Sequence, residues 1–206
     1  MDHKETVKAG YNQIADRYLA ARKIDTENVR LLEDLITRLP KGAKVLDAGC
    51  GAGIPICQKL SEKFEVTGVD FSEAQIELAK KNVPNARFLC EDMTRLEFPA
   101  NSIDGITSYY AIIHVPREEH QALLVNFHTM LKPGGYALLC LGAEHLIDDF
   151  DNDFFGARMY WSHFDKETYI QLLKDCGFII HWANLVPDET CEGAAHLFIL
   201  AQKVQK

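Results

Sequence analysis

The run Val45-Leu46-Asp47-Ala48-Gly49-Cys50-Gly51-Ala52-Gly53 decides how this chain is read. Ala43 to Asp47 is short and apolar, as a buried strand is, and a helix is expected from the end of the glycines to about Lys63. Three glycines at alternate positions let the backbone approach a ligand closely, because no Cβ intervenes. The helix behind them offers unpaired N–H groups. In open α/β sheets, ligands bind at the carboxyl ends of strands where the strand order reverses. A nicotinamide dinucleotide loop reads Gly-x-Gly-x-x-Gly, whereas this one is Gly-x-Gly-x-Gly with Asp47 two residues ahead. No Gly-Lys-Ser/Thr follows, which excludes a nucleotide-hydrolase phosphate loop.

Outward from the loop, strands and helices alternate, the pattern of a parallel sheet covered on both faces. Further strands are expected at 64–69, 86–90, 103–108 and 136–142. Ser72 and Gln75 form a capping-box pattern that opens a helix to about Asn82. A helix begins at Pro116, carries the stripe Leu123, Leu124, Phe127, Met130 and Leu131, and is broken by Lys132-Pro133-Gly134-Gly135. Asp165 caps a last helix that ends at Gly177, and 178–185 with 196–203 read as an antiparallel hairpin. Before the loop, Val7, Tyr11, Ile14, Ala15 and Tyr18 share one helical face, and a second helix runs from a cap at Asp25 or Thr26 to Leu39. Between 143 and 164 the periodicity fails, and the stretch is acidic and aromatic, as a lid or binding loop is.

Asp70 ends the second strand, where a carboxylate accepts hydrogen bonds from a ribose diol. Asp92 follows the third strand, placed to accept from an adenine amino group, with Met93 and Phe71 as apolar faces for the ring. With Asp47, three acidic positions fall at successive strand ends on one edge of the sheet.

The 206 residues suit one domain with an elaboration. The parts are 1–40, an N-terminal helical cap; 41–142, the cofactor-binding core; 143–164, an irregular lid; and 165–206, the last helix and hairpin. The net charge of −8 and scattered Lys and Arg argue against a nucleic-acid partner. No apolar run approaches the roughly 18 residues of a membrane span, and the opening residues lack a signal core, so a cytoplasmic location is expected. Six cysteines at 50, 57, 90, 140, 176 and 191 form no Cys-x-x-Cys pair and read as buried free thiols; no metal framework is expected. Asp149 to Tyr160 fails as a calcium loop, with Phe154 where glycine is needed and Tyr160 where glutamate is needed.

Together these motifs resemble class I S-adenosylmethionine-dependent methyltransferases of the small-molecule type. The matching residues are VLDAGCGAG (45–53), GVDFS (68–72), CEDM (90–93), the strand 104–108 and LKPGG (131–135). The resemblance implies a single Rossmann-like, doubly wound α/β domain. Its seven-stranded sheet would have the order 3-2-1-4-5-7-6, with strand 7 antiparallel and helices ahead of the core. It implies S-adenosylmethionine as cofactor, with the methionine part near Gly49 and Ser108, the ribose at Asp70, and the adenine at Asp92 and Met93. Gly51 and Gly53 would complete the loop, Asp47 would order it and face the amino end, and Tyr11 and Tyr18 would close over the cofactor. Ser108-Tyr109-Tyr110-Ala111 lacks the Asn/Asp-Pro-Pro-aromatic motif of members that methylate DNA adenine or glutamine.

A hydroxyl or ammonium acceptor also needs its proton removed. His114, just after the fourth strand, is the candidate base. Glu144, His145, Tyr160, Trp161 and His163 are candidate substrate contacts. Two alternatives stand beside methyl transfer to a small molecule: a protein that binds the cofactor without catalysis and acts through a partner, and a nicotinamide-dependent oxidoreductase.

Overall fold

The computed structural model describes residues 3–188 and 193–204. In chain order the elements are α1 (His3–Ala21), α2 (Glu27–Arg30), α3 (Leu32–Arg38), β1 (Lys44–Ala48), α4 (Ile56–Ser61), β2 (Glu65–Asp70), α5 (Glu73–Asn82) and β3 (Arg87–Cys90). There follow β4 (Ile103–Ser108), α6 (His120–Met130), β5 (Leu131–Gly142), β6 (Leu146–Phe154), β7 (Ala157–His163), α7 (Lys166–Asp175), β8 (Phe178–Pro187) and β9 (Ala195–Lys203).

Seven strands form one sheet in the order β3-β2-β1-β4-β5-β9-β8. The first five are parallel, and β9 runs antiparallel to both neighbours. This is the expected order, with β8 and β9 as the sixth and seventh strands of the sheet. The pleat sends alternate residues to opposite faces. On one face Val45, Leu138, Cys140, Phe198 and Leu200 pack with α3, α4 and α5. On the other Leu46, Ala137, Leu139, Leu141 and Ile199 pack with α6 and α7. Both faces are dry, so the central strands are apolar throughout, as in buried parallel sheets.

Several local expectations are corrected. Residues 143–164 are not irregular: β6 and β7 pair as an antiparallel hairpin. The expected second helix is two short pieces, and the Thr26 hydroxyl bonds Asn28 Oδ1 instead of capping. Lys132 to Gly135 does not precede the fifth strand but bulges within it, between the pairs Ile103–Leu131 and Gly105–Tyr136. The helix expected from Pro116 begins with a 3-10 turn, Arg117–Glu119, and becomes α-helical at His120. Cys50, Cys57 and Cys140 are buried, but Cys176 is half-buried and Cys90 exposed, because β3 lies at the sheet edge. Cys191 lies outside the described residues.

α1 does not pack on the sheet. It packs mainly on β7 and α5. Val7 and Ile14 join Ala157, Met159 and Tyr160 in a third apolar cluster, edged by Tyr11, Tyr18, Phe71, Phe154 and Trp161. Asn12 ties α1 to the start of α5: its Oδ1 accepts from the Ser72 hydroxyl (2.7 Å) and the Ala74 N–H (3.2 Å). Lys8 pairs with Glu73 there at 2.5 Å. Helix and hairpin thus form a cap over the carboxyl end of the sheet.

At Gly10 helix and hairpin nearly touch: a Cβ there would lie 2.9 Å from the Arg158 carbonyl oxygen and 3.0 Å from Met159 Cε. Gly10→Leu is therefore expected to cost about 1–3 kcal/mol by overpacking and to loosen the cap alone. Limited proteolysis should cut α1 or the hairpin of the variant well before the sheet. Cleavage no faster than in the parent chain would contradict a separately packed cap.

Candidate functional site

The tip of β2 holds the glycine loop. The N–H groups of Gly49 and Cys50 both donate to the Val69 carbonyl, at 2.7 and 2.9 Å. The Asp70 carboxylate accepts from the Gly51 N–H at 3.0 Å and the Ser72 N–H at 2.9 Å. Burial pushes Asp70 up to about 6, against the pull of those two N–H donors. Ser72 Oγ accepts from the Gln75 N–H, so half of the expected capping box forms. The reciprocal half does not, because Asp70 has taken the Ser72 N–H. The Gln75 amide is left buried with neither its oxygen nor its nitrogen hydrogen-bonded. It lines the same cleft as the glycine loop. Such an orphaned amide is costly unless a ligand completes it.

Gly49 has φ +78°, and a Cβ on it would lie 2.1 Å from the Ala111 Cβ and 2.9 Å from Met93 Cε. Only glycine lets the loop pass beneath the segment that follows β4. In that segment Tyr110 stands at φ 55°, an uncommon conformation for a bulky residue and one found at functional sites.

Two cavities adjoin. A narrow cleft of about 80 Å³ lies over the glycine loop, and a chamber of about 620 Å³ lies beside it under the hairpin. They share Tyr11, Tyr18, Arg22, Tyr110 and His114 as common wall. The cleft is far smaller than the roughly 300–1,000 Å³ of a small-molecule site.

Tyr11, Tyr18, Asp47, Gly49, Gly51, Asp70, Phe71, Asp92 and Met93 all line the cleft. Gly53 and Ser108 do not. Gly53 faces Val83, Phe88 and Ala79, so its role is to let α5 pack closely. The Ser108 hydroxyl is buried and donates to the Ala48 carbonyl at 2.8 Å, tying β4 to β1. Asp47 is also braced: it accepts from Thr107 Oγ1 (2.8 Å) and Cys57 Sγ (3.2 Å). Burial nevertheless pushes it up to about 6.

Asp92 lines the cleft and already holds donors on both oxygens. One oxygen accepts from the Thr94 N–H (2.9 Å) and hydroxyl (2.8 Å); the other pairs with Lys4 of α1 at 3.1 Å. Burial alone would raise it, but these donors hold Asp92 below the usual carboxylate value. Lys4 also reaches Glu119 at 2.5 Å, so this cluster clasps the cap to the far wall.

His114 is buried at the wall between cleft and chamber. Its Nδ1 lies 2.7 Å from the Tyr160 carbonyl, which only accepts, so Nδ1 carries the hydrogen. Nε2 is then the acceptor and takes the Tyr11 hydroxyl at 2.9 Å. Burial pushes His114 down to about 4, against the pull of that carbonyl, so the ring is neutral. Of the expected substrate contacts only Trp161 lines the chamber. Tyr160 is buried in the cap and donates to Asp148 at 2.6 Å. His163 Nδ1 donates to the Glu144 carbonyl at 2.6 Å, and His145 Nε2 accepts from Arg117 at 2.8 Å. The Tyr160 and His163 bonds knit the ends of β5, β6 and β7, and the His145 bond ties the β5–β6 connection to the turn ahead of α6. Gln75, Arg22 and Tyr110 are wall residues that sequence reasoning did not assign to the site, whereas the acidic residues of β6 belong to the stretch read there as a lid. The Ser72–Gln75 motif was the one usable signal, read there as a cap.

A glycine loop clamped by a strand-end carboxylate, beneath a cap and beside a second chamber, defines an open α/β nucleotide-type site. The model of the methyltransferase domain family matches residues 45–135. Phosphoethanolamine N-methyltransferase 1 of Arabidopsis thaliana is 35% identical over 149 residues, covering 68% of this chain and 29% of that protein. Demethylmenaquinone methyltransferase of Staphylococcus aureus is 30% identical over 151 residues, covering 68% and 61%. The chain thus spans less than two thirds of these relatives. The fold matches a crystal structure of a SAM-dependent methyltransferase from Methanosarcina mazei, with TM-score 0.73, 23% identity and coverage of 84% and 98%. Residues 45–135 thus match the methyltransferase domain family, within a fold shared with S-adenosylmethionine-dependent methyltransferases. Among the described residues no helix is long and apolar enough to cross a membrane.

If Asp70 accepts from the ligand only when ionised, affinity for S-adenosylhomocysteine should fall on acidification through about pH 6, approaching tenfold per pH unit below it. Asp70→Asn should bind at least tenfold more weakly at pH 8 and lose most of that pH dependence. Calorimetry at pH 5, 6, 7 and 8 reads both. An Asp70→Asn affinity equal to the parent's at pH 8 would contradict the assignment.

Proposed function

We propose that the protein transfers the methyl group of S-adenosylmethionine to a small-molecule acceptor held in the chamber. The observation that carries this reading is the shared wall: one tyrosine–histidine pair borders both the donor cleft and a second, larger cavity. A protein that only bound the cofactor would need no such chamber. The relatives' names support a small acceptor, since phosphoethanolamine and demethylmenaquinone are small molecules.

Gly49 and Gly51 would let the backbone approach the donor, Asp70 would accept from its ribose hydroxyls, and Phe71 and Met93 would flank its base. Gln75 would complete its own hydrogen bonds on the donor's polar edge. Bound S-adenosylmethionine supplies a methyl group already made electrophilic by its sulfonium. The protein's task is to align the acceptor and exclude water, which is worth up to roughly 7–11 kcal/mol.

Tyr11 gives its hydrogen to His114 Nε2, so its oxygen is left to accept. It would take the hydrogen bond of an acceptor N–H or O–H and so orient the nucleophile. As the acceptor loses its proton to the Tyr11 oxygen, Tyr11 would pass its own to His114 Nε2, while Nδ1–H stays on the Tyr160 carbonyl. Asp149, Asp151 and Asp153 stand at alternate positions of β6, and with Trp161, Phe154 and Tyr18 they line the chamber. Carboxylates beside aromatic faces favour an acceptor that carries positive charge or an amine.

The test is S-adenosylhomocysteine release across a panel of small amines, phenols and alcohols. With an active acceptor, Tyr11→Phe and His114→Ala should each lower kcat by roughly 10²–10⁴-fold and leave the KM for S-adenosylmethionine within about threefold. Because His114 is held near 4, its protonation should not limit kcat between pH 5 and 8. An acid limb near pH 6.5 that vanishes in His114→Ala would contradict the pair's assigned state. So would variants with unaltered kcat.

A further inference from the structure

The chamber wall carries a second histidine that methyl transfer, as read above, does not use. His196 stands opposite Gly142 of β5 and Val186 of β8, at the carboxyl end of the sheet. It lines the chamber together with Asp188. Its Nε2 lies 2.7 Å from an Asp188 carboxylate oxygen, and both side chains are mostly buried. Asp188 is anchored in turn, its N–H donating to the Ala194 carbonyl at 2.9 Å. The Tyr110 ring meets the His196 ring edge-on, with centres 4.9 Å apart. The imidazole is thus held from two sides.

A carboxylate only accepts, so Nε2 carries the hydrogen and Nδ1 keeps a lone pair. That Nδ1 is buried, and among the described residues it has no hydrogen-bond partner. His114 differs, since both of its ring nitrogens are engaged. A buried polar atom left in this way costs free energy until something donates to it. Because the ring lines the chamber, an occupant of the chamber is placed to do so. Asp149, Asp151 and Asp153 line the same chamber, and their carboxylates also only accept. The chamber therefore suits an occupant with more than one N–H or O–H to give.

We propose that His196, oriented by Asp188, is a specificity residue of the chamber. Its Nδ1 takes a hydrogen bond from a hydroxyl or amine N–H of the methyl acceptor, at a group other than the one methylated. The acceptor class is then an amine with a second donor group, an amino alcohol or a diamine. The proposal deepens the reading above and rests on it for the chamber's role as the acceptor site.

Side-chain nitrogen-15 NMR of the intact chain, saturated with S-adenosylhomocysteine at pH 8, reads Nδ1 directly. The His196 signals are assigned by their loss in His196→Asn or His196→Gln. Nε2 should appear as the protonated, pyrrole-type nitrogen and Nδ1 as the pyridine-type one; any other protonation state overturns the proposal. The probes are ethanolamine and ethylenediamine, which bring donors, and tetramethylammonium, a cation with none. Nδ1 should move toward the pyrrole-type range with at least one donor probe and hold its position with tetramethylammonium. No movement with either donor probe, or as much with tetramethylammonium, overturns the proposal.

Kinetics with an acceptor active in the panel above adds a second readout. His196→Gln still reaches Asp188 but leaves no lone pair at the place of Nδ1. It should raise the KM for the methyl acceptor about tenfold and leave kcat within about threefold. His196→Asn sets an amide oxygen near that place and should recover most of the loss. An unaltered KM in His196→Gln, or an equal loss in both variants, gives His196 a structural role alone and overturns the proposal. If the parent chain binds S-adenosylhomocysteine but methylates nothing in the panel, the methyl-transfer reading fails instead, and the NMR result alone decides for His196.

Discussion

The site depends on one carboxylate with two backbone donors. A loop of alternating glycines, neither helix nor strand, leaves most of its N–H groups to be satisfied from outside it. Here the end of β2 satisfies them, through the Val69 carbonyl and the Asp70 side chain. The same Asp70 fixes the start of α5 through Ser72. Loop, strand end and helix start therefore keep one geometry, and the cleft wall is set before any ligand arrives. The arrangement has an electrostatic cost, visible in the upward shift of both Asp47 and Asp70. A polar ligand that donates to Asp70 would offset part of it.

The second constraint is that the cap belongs to neither core face. Its apolar cluster is closed by α1 and β7 acting on each other. Its links to the rest are mostly polar: Asn12 at the start of α5, Lys4 on Asp92 and Glu119, and His114 on the Tyr160 carbonyl. Polar ties at a partly wet boundary are exchanged for water at modest cost. The cap is thus held to the sheet end by ties different in kind from the apolar packing inside it. The Tyr11–His114 hydrogen bond spans this boundary, with Tyr11 on the cap and His114 on the loop after β4.

What the sequence made legible was local. The glycine loop, the strand-end aspartates and the sheet order follow from short motifs and from strands buried on both faces, where apolar runs leave no ambiguity. The β6–β7 hairpin was not legible, because it packs on α1 and never enters the core. Asp149, Asp151 and Asp153 alternate with Phe150, Asn152 and Phe154, a period of two too polar to read as a buried strand. Long-range polar pairing was equally invisible. Nothing near Asp92 shows that Lys4, 88 residues away, takes its oxygen. Nothing near Ser72 shows that Asp70 displaces Gln75 from its capping box. For Glu144, His145 and His163 the chemistry of the residue type suggested a site, while the fold uses Glu144 and His163 to join strand ends and His145 to hold the turn ahead of α6.

The central claim is that the donor binds across the strand ends and beneath the cap. Hydrogen–deuterium exchange, followed by mass spectrometry with and without saturating S-adenosylhomocysteine, tests it most directly. The account predicts slowed exchange in 47–54, 68–76 and 91–95, and in the cap segments 4–22 and 157–163, with β8 unchanged. Protection confined to other parts of the chain, or none at a concentration where calorimetry shows binding, would contradict it.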